Sequence, residues 1–413
     1  MTVSLSDLTS AIDANEPKAR DFLKSLIAVP SLSGQEVAAM ELAARAFGEF
    51  AKVEKVPLDN SLKNDPLYCD VLEDLDYTDR FNLSVTLPGA GDAKPLLINT
   101  HMDTVPPSQG QSNPFDPGEE DGKIFGRGAC DAKGQVAALY LAMLALKDLG
   151  SPCDGDLIGH VVVEEEVGGN GSLAMARRGG VSPRACIVLE PTDNAIFTSI
   201  RGAVWFRMDL SGQAGHSGGT GRVSALKLAT RVMDILERYH TELLAASKGI
   251  DLFDKYENPM PLTLGKLHAG NWPATNPSHA RLEGVLGLLP NITAQEVMAQ
   301  IRRLLIEQGP PELADNLKAH FPYRHDSSVC PTDAAIVIDM KAAISAMGQQ
   351  PHIDAMCASC DACFYSGLLG VPTVVFGPGN LKFAHSSDEH IDMADISAAG
   401  KIIAATSAQG VSK

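Results

Sequence analysis

No run of eighteen apolar residues occurs anywhere in the sequence, so no segment reads as a membrane-spanning helix. The start also lacks a basic stretch followed by a compact apolar block. "MTVSLSDLTSAIDANEPKARDFLKSLIAVPS" reads as an ordinary helix, and no secretory signal is expected. Positive charge is in deficit: 34 Lys and Arg stand against 51 Asp and Glu, a formal net charge of −17. Such a chain is a poor match for nucleic acid or for an anionic membrane surface, and neither is expected as a partner. Internal repeats and low-complexity tracts are missing too. At 413 residues, with 45% hydrophobic and 21% charged, the composition is that of a soluble globular protein of two or three domains, expected in the cytoplasm.

Cysteine is present, but not in a complete ligand set. "CASCDAC" places Cys357, Cys360 and Cys363 at the spacing of an iron–sulfur motif. A fourth cysteine is missing nearby, and the run continues "FYSGLLG". The eight cysteines are therefore read as reduced thiols, and these three as small core residues.

What the sequence does have is a repeated texture. Short runs of Val, Ile and Leu end in acidic residues, histidine or glycine-rich turns. "PLLINTHMD" ends in His101 and Asp103, and "DLIGHVVVEEEVGGNG" in Glu164, Glu165 and Glu166. "ACIVLEPTD" ends in Glu190; "VPTVVFGPGN" is followed closely by "AHSSDEH". Continuous apolar runs suit strands buried on both faces, and helical patterns such as "GQVAALYLAMLALKDLG" lie between them. The fold expected is α/β, a mostly parallel sheet between helices. Ligands of such sheets bind beyond the carboxyl ends of strands, where the polar clusters would gather. From about Ile200 to His320 the texture changes to strand, helix, strand, helix, with a capping box at Thr293 and Glu296. A smaller α+β insert is expected over residues 197–317, interrupting a catalytic unit formed by 1–196 and 318–413. "LKNDPLYCDVLEDLDYTDR" is acidic and polar and reads as an exposed excursion.

His101, Asp131, Glu166, Glu190 and His385 form a candidate ligand set. Imidazole with carboxylate suits zinc, cobalt or manganese. The lone Asp131 of "GRGACDAKG" is placed to bridge two ions, and the glutamate triplet has a carboxylate to spare as a base.

The series "NTHMDTVPP", "GRGACDAKG", "VVVEEEVGGNGS", "LEPTD", "GQAGHSGGT" and "FGPGNLKFAHSSDEHI" resembles the co-catalytic zinc aminoacylase and carboxypeptidase family. "AGNWP" is most similar to its acetylornithine deacetylase-like branch. The resemblance implies two divalent ions per chain, zinc with cobalt or manganese as alternatives. His101 and Glu190 would hold one ion, Glu166 and His385 the other, and Asp131 both. Asp103 would orient His101, and Glu165 would be the general base of amide hydrolysis. The Asp131–Ala132 peptide would be cis. The insert would be a ferredoxin-like lid and dimerisation domain, swinging on linkers near Asp193–Arg201 and His320–Asp326. His216 would steady the oxyanion in the partner's site. The sequence departs from the family at Cys363 and Val285, where many relatives carry arginine, and at Ala274-Thr275-Asn276-Pro277. The implied activity is deacylation of a small N-acyl amino acid. A metallo-dipeptidase, a carboxypeptidase or a succinyl-diaminopimelate desuccinylase would use the same machinery.

Overall fold

In the computed structural model, which describes residues 3–408, the four apolar runs become the centre of a nine-stranded sheet. Leu157–Val162, Leu96–His101, Ala185–Leu189 and Thr373–Phe376 lie side by side in that order, each parallel to its neighbour. Every residue in them is buried. The reason is visible in the alternation of their side chains. Leu96, Ile98, Ile187, Leu189, Val374 and Phe376 enter the large core on one face. Leu97, Ile158, Cys186, Val188 and Val375 enter a second core on the other. Antiparallel strands flank this centre. Lys52–Pro57 and Phe81–Leu87 lie on one side, and Ile196–Ile200 with Ser328–Val329 on the other. Ile353–Met356 runs parallel to Ile196–Ile200.

The long apolar stretch Ala129–Asp148 includes the helix Gly134–Asp148 and is buried as far as Leu146. The helices Leu5–Ile27 and Met393–Ser407 pack against it. The helix Ala362–Leu368 covers the opposite face through Ala362 and Tyr365. The Asp131–Ala132 peptide is cis.

A second, antiparallel sheet has the order Leu262–Ala269, His279–Leu288, Gly202–Ser211, Leu317–His325. The helices Ala225–Ala246 and Ala294–Gln308 cover one of its faces. Val204, Phe206, Met208 and Leu210 alternate into that interface and form a core of their own. The chain order strand–helix–strand–strand–helix–strand is ferredoxin-like. The capping box of Thr293 and Glu296 opens the helix Ala294–Gln308.

Strand pairing moves the expected boundaries of this unit. Ile196–Ile200 belongs to the large sheet, and Leu317–His325 pairs with Gly202–Ser211 in the small one. The crossings therefore fall at Arg201 and at Asp326–Ser327, not at 197 and 317. The linkers expected at Asp193–Arg201 and His320–Asp326 are largely strand. The boundary hides in the sequence because "IFTSIRGAVWF" is one apolar stretch that changes sheets at Arg201. Residues 1–2 and 409–413, the ends of the expected catalytic unit, lie outside the described residues.

The acidic segment 62–80 is exposed over much of its length, as expected, but it is also a strap anchored at four points. Tyr68, Cys69, Tyr77 and Arg80 are buried. The Asp70 amide donates to the Pro322 carbonyl at 2.9 Å, Asp70 pairs with His320 at 2.8 Å, and Glu73 with Arg207 at 2.5 Å. The strap thus joins the two units, while Glu73, Asp74, Asp76 and Asp79 on it stay exposed.

Candidate metal centre

Four strand ends deliver the site. His101 is the last residue of its strand; Glu190 directly follows Ala185–Leu189. After Leu157–Val162 the chain turns sharply. Glu164 is left-handed at φ 64°, Glu165–Val167 form one helical turn, and Gly168 follows at φ 115°. A Cβ at Gly168 would lie 2.3 Å from Cys69 Cβ, so only glycine fits this turn. His385, also left-handed at φ 59°, projects from the loop beyond Thr373–Phe376.

These ends converge on Asp131. One of its oxygens lies 3.0 Å from His101 Nε2, and the other 3.6 Å from His385 Nε2. Glu190 lies 3.9 Å from His101 Nε2, and Glu166 lies 3.0 Å from His385 Nε2. Two groups of possible donors result: His101, Glu165 and Glu190, and Asp131, Glu166 and His385, each with atoms within 4.8 Å of one another. No cysteine enters such a group among the described residues. Cys357, Cys360 and Cys363 pack toward three different apolar clusters, as small core residues do.

The electrostatics fit a cation. Burial, then the charge of Glu190, holds the Glu165 carboxyl well above its ordinary range. Burial and Asp131 do the same to Glu190, and more mildly to Glu166. Burial also opposes ionisation of Asp131, but the hydrogen bond from His101 and the two imidazoles bring it below its ordinary value. His385 is pushed up to about 9, first by its hydrogen bond to Glu166. Carboxylates crowded out of water this way need protons or a cation to coexist. Mixed imidazole and carboxylate donors suit borderline divalent ions such as zinc.

Asp103 lies where expected but does more than expected. His101 Nδ1 is 3.0 Å from the Asp103 backbone carbonyl, and 3.4 Å from its carboxylate. The carboxylate instead accepts the backbone N–H groups of Glu165 at 3.0 Å and Glu166 at 3.2 Å, and the Ser33 hydroxyl at 2.7 Å. It therefore fixes both the histidine and the glutamate turn. Glu164 faces away from the donors: it accepts from Tyr77 at 2.8 Å and Asn170 at 2.9 Å, and it pairs with Arg80. His216 is not brought to the centre. It lies exposed on the short strand Gly215–His216, paired with Thr275–Asn276, and its Nδ1 accepts from the Gly218 amide at 3.1 Å.

Sequence reasoning missed Glu389. Fully buried, it accepts the backbone N–H groups of Cys130 and Asp131, each at 3.1 Å, and pairs with buried Arg127 at 2.5 Å. Its signal was present in "AHSSDEH", where only the first histidine was read as functional.

The sequence pattern described as Peptidase family M20/M25/M40 matches residues 97–409. A probable carboxypeptidase of Aspergillus terreus is 28% identical over 394 residues, covering 91% of this chain and 82% of its own. An acetylornithine deacetylase of Pectobacterium atrosepticum is 26% identical over 413 residues, covering 94% and 97%. Among solved structures, YXEP of Bacillus subtilis, described as a dinuclear metal binding peptidase, shares the fold. Its TM-score is 0.64 at 16% identity, over 96% of this chain and 98% of that one.

Proposed function

The chain belongs to peptidase family M20/M25/M40 and is a metal-dependent amidohydrolase, and we propose that it deacylates a small N-acyl amino acid. The observation that carries this reading is the pair of donor groups, His101 with Glu165 and Glu190 and Asp131 with Glu166 and His385, in which Asp131 lies near both imidazoles. When bound, two divalent ions would supply Lewis acidity toward the amide carbonyl and lower the pKa of the attacking water. His101 and Glu190 would hold one ion, Glu166 and His385 the other, and Asp131 would serve both. The donor set suits zinc, with cobalt or manganese as alternatives. Glu165 takes the water's proton and delivers it to the nitrogen as the C–N bond breaks. Its burial favours a base with a raised proton affinity.

The acetylornithine deacetylase relative supports the deacylase reading because it aligns along almost the whole of both chains. The carboxypeptidase relative favours the second reading, hydrolysis of a peptide bond. We further propose a homodimer through the small unit. Leu262–Ala269 is an edge strand paired on one side only and largely exposed, with Leu267 exposed on it and Trp272 exposed just beyond its end. After reconstitution with zinc, cobalt or manganese, the protein is assayed on N-acetylornithine, N-succinyl-diaminopimelate and dipeptides. The deacylase reading expects the highest kcat/KM on an N-acyl amino acid. A clear preference for dipeptides would replace it with the peptidase reading.

A further inference from the structure

His385 differs from the other proposed donors in what holds it. His101 ends a buried strand and Glu190 follows one directly, whereas His385 sits on a loop with about half of its side chain exposed. A histidine in that setting has many accessible orientations unless its backbone is fixed. The structure contains a chain of contacts that fixes it. Ser108 Oγ donates to the His385 carbonyl at 2.6 Å and accepts from Arg127 Nη2 at 2.8 Å. Arg127, itself 1% exposed, pairs through Nη1 with Glu389 at 2.5 Å. Glu389 holds the backbone amide of Asp131. Asp131 Oδ2 in turn lies 3.6 Å from His385 Nε2, so the contacts close into a ring. Both proposed donors are thereby referred to one buried guanidinium.

We infer that Ser108, Arg127 and Glu389 are positioning residues that set His385 against Asp131 for the second metal position. The inference rests on the reading of Asp131, Glu166 and His385 as donors. Ser108 is the informative member because it is only partly buried and uncharged. Removing its hydroxyl cuts the ring without stranding a charge in the core, as loss of Arg127 or Glu389 would. Among the described residues, the hydrogen bonds of Ser108 go to Gln111, His385 and Arg127, none of them to His101 or Glu190.

The test titrates the metal-free full chain with Co2+, following the visible absorption of the bound ion and chelator competition. Parent protein, Ser108→Ala and Ser108→Thr are compared, with thermal melting as a check of folding. The expected result is two equivalents bound by the parent. In Ser108→Ala the first equivalent binds unchanged and the second about 10–100-fold more weakly, the usual scale for an outer hydrogen bond to a ligand. Ser108→Thr, which keeps the hydroxyl, restores the second equivalent. Parent-like binding of both ions by Ser108→Ala would overturn the clamp and leave the two-metal reading intact. Equal weakening of both ions, or no restoration by Ser108→Thr, would also overturn it. A parent that binds only one equivalent would instead defeat the two-metal reading on which the clamp rests.

Discussion

Glu164, Glu165 and Glu166 are the same residue three times over, and the fold gives each a different neighbourhood. Glu164 is tied to Arg80, Tyr77 and Asn170. Glu165 lies buried beside Glu190 and His101, and Glu166 faces His385. The sequence showed that carboxylates were in excess, and resemblance singled out the second and third. It could not show why the first is unavailable, because its partners Tyr77 and Arg80 are far away along the chain. Nor could it show the role of Glu389, whose contacts to Cys130 and Asp131 are with backbone amides that carry no residue-type signature. The account predicts that Glu165→Gln retains its metal and loses about 10²–10⁴-fold in kcat. Glu164→Gln should leave kcat of the folded enzyme close to the parent's and lower its urea midpoint, since Arg80 loses a charged partner in the core. Steady-state kinetics with metal analysis checks both. The reverse pattern would exchange the roles of the two residues.

At the scale of elements, the parallel strands were legible because burial on both faces demands continuous apolar runs, and their ends announced the site. The crossing between the two units was not legible. Leu317–His325 carries Tyr323 and His325, which look like strand residues of either sheet. In the structure His325 Nε2 donates to the Gly168 carbonyl at 3.0 Å, and its Nδ1 accepts from the Tyr323 hydroxyl at 2.9 Å. His325 thus fastens the small unit to the turn that follows Glu165 and Glu166. Burial lowers its pKa from 6.5 to about 4, the hydrogen bond to Gly168 opposing and Arg324 adding to the shift. An unfolded chain takes up this proton near pH 6.5, the folded chain only near 4. Between those values unfolding gains a proton, so stability falls as the pH drops through the window. This one group contributes at most about 3 kcal/mol to that fall. His325→Gln keeps a donor for Gly168 but cannot titrate. Urea unfolding at pH 7 and pH 4.5 should show a smaller loss of stability on acidification for the variant than for the parent. Equal losses would mean that His325 is not held neutral by the fold.

At the scale of the molecule, the two sheets and the position of His216 belong together. His216 stands on the small unit, away from the donors it is proposed to serve, while the edge strand Leu262–Ala269 offers a place for a second copy. If each site borrows His216 from its partner, two inactive proteins can repair each other. Mixing Glu165→Gln with His216→Ala under subunit exchange should restore part of the activity, because one site of the mixed dimer has both residues. Confirmed exchange without recovery would assign His216 to its own chain or to no catalytic role. The predictions for Glu165 and His216 presuppose that the carboxylates and imidazoles at the strand ends hold metal. A crystal structure of the zinc-reconstituted protein, with anomalous data collected at the zinc edge, tests that directly. The account predicts two anomalous peaks per chain, one bonded to His101 and Glu190, the other to Glu166 and His385, with Asp131 touching both. A centre without anomalous density beside fully occupied zinc elsewhere in the chain would contradict it.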